Sequence, residues 1–247
     1  VGVDVSFALE KIDSTYLTVD YSVGLPLLFS GTNYLKAYFR KKTSSKIGGQ
    51  SETENEENPA NISASMYGLM YRYEQVDYRF NPRKGVIFEG NASLGTKTQF
   101  QAENTTQYEF HVTADAFFPL FSRSTIHFAN QMAWLYNSEK RLYENELFKI
   151  GGLNSFRGID EKSVLASLYS IGTVEYRFLF EENAHFLFFY EIMYYQKHLT
   201  ERILDDLPYS FGIGASFDTR AGIFSLHYGI GKQFDNPIDL QSAKVHV

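Results

Sequence analysis

The feature that most constrains this chain is a period-two alternation of large apolar residues with small or polar ones, repeated from end to end. In 125–136, Ile126, Phe128, Met132, Trp134 and Tyr136 share one face, with Asn130 as its polar member. His127, Ala129, Gln131, Ala133 and Leu135 occupy the other face. In 222–233, Phe224, Leu226, Tyr228 and Ile230 face one way, and Ser225, His227, Gly229, Gly231 and Gln233 the other. A period of two marks a strand with different surroundings on its two sides. Helical spacing over a comparable length is nearly absent. A soluble sandwich fits poorly, because its inner face must be filled and its outer face charged. A barrel whose outside meets lipid and whose lumen meets water fits directly.

Composition narrows the choice. With 17% aromatic and 21% charged residues, the chain is too apolar for disorder. The longest stretches without Asp, Glu, Lys or Arg are 21–35 and 124–138, 15 residues each. A spanning helix needs about 20 apolar residues, so helical membrane spans are excluded. The mean hydropathy of −0.27 says little, because alternation averages away. A net charge of −6 argues against a nucleic-acid partner. With no Cys there is no disulfide framework, thiolate metal site or cysteine nucleophile.

Turn signals divide the chain into about thirteen strands, near 2–10, 15–25, 32–42, 62–78, 85–97, 105–119, 123–137, 143–150, 166–180, 185–197, 208–218, 221–233 and 240–247. Most reach the roughly 9–11 residues of a tilted spanning strand. Tight connections contrast with long ones at 42–61, 151–165 and 197–207. The acidic run 52–57 reads as a solvated loop tip. Aromatics cluster near strand ends at Tyr71, Tyr73, Phe117, Phe118, 186–190, Tyr194 and Tyr195, as interfacial girdles would. Both ends of the chain read as strands without a signal peptide, so a fragment of a longer protein is expected.

Catalytic motifs are missing. There is no Gly-x-Ser-x-Gly elbow, no phosphate loop and no His-Glu-x-x-His pair. The six His are scattered singly and read as wall residues of a wet lumen. The chain is therefore not expected to be an enzyme, and neither a metal nor a cofactor is expected.

One segment stands apart. Residues 147–163 read LFKIGGLNSFRGIDEKS, with Arg157-Gly158 flanked by Phe156 and Ile159. Such a loop suggests a segment folded back and buried. A buried Arg requires carboxylate partners. Glu175 shares its strand face with Tyr169, Ile171, Thr173 and Arg177, and Glu191 follows the aromatic run 186–190 on the next strand. Charge on a spanning strand belongs on the lumen side, so both Glu could point at one inward loop, or merely line a wet lumen.

The run Gly151-Gly152, then Phe156-Arg157-Gly158-Ile159, resembles the sixth-loop signature of the BamA/TamA superfamily of outer-membrane assembly barrels. That signature is Gly-Gly followed by Val/Ile-Arg-Gly-Phe/Tyr, so Phe156 and Ile159 depart at the flanks. The segments around Glu175 and Glu191 resemble the family's next two strands, with Glu191 in place of the usual Asp. Asn81-Pro82-Arg83-Lys84-Gly85 resembles a family turn, and Gly212–Gly231 with Asn236-Pro237 its closing hairpins.

The resemblance covers essentially the whole chain. It implies an antiparallel transmembrane β-barrel of about sixteen strands. The last thirteen would be present, with the first strands and the periplasmic POTRA domains lying outside this single domain, 1–247. Val247, where the family usually ends in an aromatic residue, would not be the natural end. The implied location is the bacterial outer membrane. The implied function is insertion, assembly or translocation of proteins through a barrel with a lateral seam. The implied partners are membrane lipid, unfolded outer-membrane clients, and accessory lipoproteins or a larger complex. Alternatives are the barrel of a fused patatin-like lipase of the same superfamily, or a passive pore.

Overall fold

The structure, a computed structural model, describes residues 3–12, 16–46, 61–99, 103–139, 142–181, 183–199, 203–219, 222–233 and 243–246. They form strands throughout: β1(Asp4–Ile12), β2(Tyr16–Ser30), β3(Asn33–Lys46), β4(Ile62–Val76), β5(Gly85–Gln99), β6(Thr105–Phe121), β7(Ser124–Asn137), β8(Phe148–Ile150), β9(Val164–Ala166), β10(Leu168–Glu181), β11(Ala184–His198), β12(Ile203–Asp206), β13(Tyr209–Thr219), β14(Gly222–Lys232) and β15(Lys244–His246). The acidic run 52–57 and Asn236-Pro237 lie outside the described residues.

The main sheet has thirteen strands in the order β1-β2-β3-β4-β5-β6-β7-β10-β11-β13-β14-β15, with β12 pairing β11 beside β13. Every pairing in it is antiparallel. Among the described residues the two ends of this path, β1 and β15, are not paired with each other. The strand expected at 143–150 is not in this sheet. Its last part is β8, which pairs β9 in a separate two-stranded hairpin. Residues 142–147 form buried turns instead. The apolar Leu142, Leu147 and Phe148 pack against Leu135 and Leu199, so their alternation serves an interior plug, not a wall.

The sheet has its polarity inverted. Phe7, Val23, Leu69, Leu94, Trp134, Phe188 and Ile213 face outward and are exposed. Thr18, Ser93, Lys97, Glu109, His127, Glu175 and Glu191 face inward and are buried. Asn130, the polar member of its outer face, donates to Ser170 Oγ at 3.1 Å and to the Ile171 carbonyl at 3.2 Å. Its amide is thereby satisfied on an apolar surface, where a bare one would be costly. Ile230 keeps the outward face, opposite the exposed Phe211 in the β13–β14 register, but unlike Phe224, Leu226 and Tyr228 on the same strand it is buried. The aromatic clusters also divide between the faces. Phe118, Phe186, Phe188, Tyr190 and Tyr194 point out, whereas Phe117, Phe189 and Tyr195 are buried inside.

Short connections gather at one end of the sheet. Gly31-Thr32 and Ser122-Arg123 are two-residue links. Three β-bulges, at Pro26/Leu28, Pro119/Phe121 and Leu179/Glu181, sit close to these turns. A bulge lets a strand carry Pro without a broken ladder, and it adds twist. The longer 77–84 turn at this end is organised by Asp77. Its Oδ1 accepts from the backbone amides of Tyr78, Arg83 and Lys84 at 2.9–3.0 Å. Partial burial pushes the Asp77 carboxyl up, but these amides outweigh it and hold it below its usual 3.8. Arg83 reaches the carbonyls of Phe121 and Ser122, tying this turn to its neighbour.

Two outcomes follow. Met132→Arg, on the outer face in mid-strand, should lower stability by about 2–4 kcal/mol in a bilayer, with Gln131→Arg on the lumen face close to neutral. Urea titration of the barrel refolded in vesicles reads this difference. The stabilisation from Asp77 is complete above its unfolded value and is lost as pH falls through the lower folded one. Asp77→Asn should therefore loosen the turn at pH 7, read as faster amide exchange at Tyr78, Arg83 and Lys84, and change little once Asp77 is protonated.

Candidate functional site

Much of the connection between β7 and β10 is folded inward. It runs through the buried turns at 142–147, the β8–β9 hairpin and the loop 151–163 between the two strands. Gly151 and Gly152 start the loop with φ of 124° and 91°, a region that side-chain-bearing residues rarely enter. A Cβ at Gly151 would lie 2.0 Å from the Asp160 carbonyl oxygen, so the two limbs of the loop close on glycine. Ser155 Oγ accepts from the Gly151 amide at 2.8 Å, and Gly152 donates to the Phe156 carbonyl at 3.1 Å.

This folding buries the flanks of Arg157. Phe156 is completely buried and Ile159 nearly so, in a cluster with Ile150, Val164, Ala166, Ile171, Met193 and Tyr195. Ile171 belongs to β10, and Met193 and Tyr195 to β11. The loop is thus seated by apolar contact on the lumen side of two adjacent strands. The departures at Phe156 and Ile159 preserve apolar flanks on both sides of the Arg-Gly pair.

Arg157 is held by both expected carboxylates. Its Nε donates to Glu191 Oε1 at 2.7 Å, and Nη2 lies 2.6 Å from the same oxygen. Its backbone amide donates to Glu191 Oε2 at 2.9 Å, and Ser210 Oγ donates to that oxygen at 2.9 Å. Nη1 donates to Glu175 Oε1 at 2.7 Å and lies 3.3 Å from His227 Nδ1. The guanidinium stacks on the Phe189 ring, 3.8 Å from its centroid. In the β10–β11 register Glu175 is opposite Phe189 and Thr173 opposite Glu191. The two carboxylates are therefore diagonal neighbours on one face, spaced for one forked cation. All three charged side chains are buried, where unpaired charge is very costly.

The network extends beyond this triad. Glu175 Oε2 accepts from Arg177 Nε at 2.8 Å and lies 2.9 Å from His127 Nδ1. His127 Nε2 lies 2.8 Å from Asp115 Oδ1, with Phe117 stacked on the ring at 4.4 Å. Gly158 lies directly on the wall: a Cβ there would stand 2.3 Å from Ser210 Cβ and 2.7 Å from Gly231 Cα. Gly151, Gly152, Phe156, Arg157, Gly158, Ile159, Glu175 and Glu191 thus converge on one buried assembly.

Sequence reasoning missed the rest of the lumen chemistry. Lys97 and Glu146 form a buried pair at 2.5 Å. Burial pushes the Glu146 carboxyl up, against the pull of Lys97. Arg40 forks onto Asp20 and reaches Glu109 at 2.7 Å, and Lys197 pairs with Glu144. The rule that placed Glu175 inside applies equally to Glu109, between Tyr108 and Phe110 on β6, whereas Lys97 stands near the end of β5 between Thr96 and Thr98 and carries no such signal. The partners on 142–147 were hidden by reading that segment as wall. Among the described residues, no group of His, Cys, Asp and Glu is arranged to hold a metal ion.

Known barrels share this fold. BamA from Haemophilus ducreyi lacking POTRA domains 1-3 matches with a TM-score of 0.68 at 13% identity, over 94% of this chain and 53% of that one. CdiB from Acinetobacter baumannii matches with a TM-score of 0.61 at 14% identity, over 90% of this chain and 39% of that one. At such identities the likeness establishes the fold alone, and the chain spans about half or less of the length of either. No curated protein matches at the level of sequence. The Omp85 superfamily domain matches residues 1–242. With its loop, its paired carboxylates and its antiparallel wall in place, the chain belongs to the Omp85 superfamily.

Proposed function

We propose that this chain is the membrane barrel of an outer-membrane factor that inserts, assembles or translocates other proteins, with no catalytic step of its own. The carrying observation is the buried brace in which Arg157, on an inward loop, meets Glu191 and Glu175 on two neighbouring strands. A passive pore gains nothing from filling its lumen with a charged, packed hairpin. A machine that deforms its wall needs an internal part to keep the rest in register.

The physical logic is backbone satisfaction. A strand entering lipid must pair every N–H and C=O before it leaves water. A barrel edge that opens offers those partners by strand addition. Among the described residues β15 is the edge at one end of the sheet, paired with β14 at three positions, against eleven for β13 with β14. On this reading, the client is an unfolded outer-membrane protein. The short-turn end faces the periplasm, where POTRA domains precede this single barrel domain, and the outer surface meets lipid of the outer membrane. Accessory lipoproteins would bind outside this domain. The alternative, the barrel of a patatin-like lipase, puts the chemistry in a separate upstream domain and leaves the brace as a structural part.

Two outcomes test the reading. Arg157→Ala leaves the buried Glu191 without its counter-charge and Glu175 with Arg177 alone, and should cost about 3–5 kcal/mol, with loss of client assembly. Glu191→Gln should cost less, because the amide still accepts from Arg157 through one oxygen. Retention of both normal stability and normal assembly by Arg157→Ala would remove the brace from the mechanism. Depletion of the full-length protein, followed by proteomics of folded outer-membrane barrels, should lower many barrels for a general insertase or one for a dedicated translocator. No loss of any barrel or secreted client would leave a passive pore or the fused lipase.

A further inference from the structure

The terminal strand is held by more than its ladder. Lys244 and His246 alternate with Val245, which points outward and is exposed. Both inward side chains meet the loop. Lys244 Nζ lies 2.8 Å from Asp160 Oδ1. His246 Nε2 donates to the main-chain carbonyl of Arg157 at 2.9 Å. The approach depends on β14. A Cβ at Gly229 would stand 2.7 Å from the Arg157 carbonyl oxygen, and one at Gly231 would stand 2.6 Å from that of Gly158. With both side chains absent, the loop main chain lies flat against β14 and presents its carbonyl to the next strand. Arg157 thus binds in two directions: its guanidinium grips β10 and β11, and its carbonyl reaches β15.

The loop is also fixed on its far flank. Glu10 Oε1 of β1 lies 3.0 Å from Lys149 Nζ and 3.3 Å from Lys162 Nζ. A loop tied to β1, β10 and β11 cannot simply follow β15 when that strand leaves the sheet.

We propose that Asp160 and the Arg157 carbonyl are positioning groups for the terminal strand, anchoring β15 through Lys244 and His246 so that the loop sets how readily this edge opens. The proposal deepens the assembly reading and rests on it for its purpose, but its physical content is separate. An exposed ion pair is weak by itself. Among the described residues β15 pairs β14 at three positions, so the anchors carry comparable weight and each shifts the open population.

The test is hydrogen exchange by mass spectrometry on the full-length protein in phosphatidylcholine vesicles, with rates corrected for each substituted sequence. Asp160→Lys and Lys244→Asp should each raise exchange at 244–246 by about fivefold, with the β10–β11 amides unchanged. The double variant, which swaps the charges, should return exchange to within about twofold of the parent. His246→Ala should give its own increase without disturbing the ion pair. Unchanged exchange in the single variants, or failure of the swap to restore it, overturns the anchoring. Exchange is read on the barrel without client, so it stands or falls independently of client assembly in Arg157→Ala.

Discussion

One buried cation organises this molecule. Arg157 stands in the lumen with Glu191 and Glu175 on neighbouring strands, and none of the three can be buried alone. The requirement acts backward on the sequence. It demands a loop that re-enters the barrel, so Gly151 and Gly152 are needed to close it. It demands close approach to the wall, so Gly158 faces Gly231. It demands water exclusion, so Phe156 and Ile159 pack on Ile171, Met193 and Tyr195. Phe189 gives the guanidinium a flat apolar surface on its free face.

Around that centre the molecule solves a different problem. Its outer face must be apolar, so the energy of burying hydrocarbon in lipid replaces a packed core. Its inner face then carries the polar groups, and each must find a partner. The result is a lumen of linked ion pairs: Arg40 with Asp20 and Glu109, Lys97 with Glu146, Arg177 with Glu175. The inward segment supplies partners to two of these, Glu146 to Lys97 and Arg157 to Glu175, which makes it part of the wall's electrostatics as well as a filler of space.

Much of this was legible in the sequence, for a physical reason. A period of two survives any tertiary context, because a strand with lipid on one side and water on the other has no freedom to slip. That fixed the strands around 62–76, 85–99 and 184–198 almost to the residue. The Arg157 loop was legible because an Arg-Gly pair between Phe and Ile is a poor surface loop. The segment 143–150 was not, since Leu142, Leu147 and Phe148 show the same apolar spacing whether they face lipid or fill a lumen. The inward Phe117, Phe189 and Tyr195 could not be told from their outward neighbours either: side-chain size does not report which face a residue takes when both faces carry rings. The links from the loop to β1 and β15 join residues far apart along the chain, and no local pattern encodes them.

The loop's contacts also differ in what they cost in chain entropy. Arg157 is 18 residues from Glu175 and 34 from Glu191, while the Lys162–Glu10 contact spans 152. Closing a short loop costs less entropy than closing a long one, and it is faster. Chain entropy therefore favours seating the loop on β10 and β11 over making its link to β1, so the contacts that grip Arg157 are the local ones and those that tie the loop to the far wall are the costly ones.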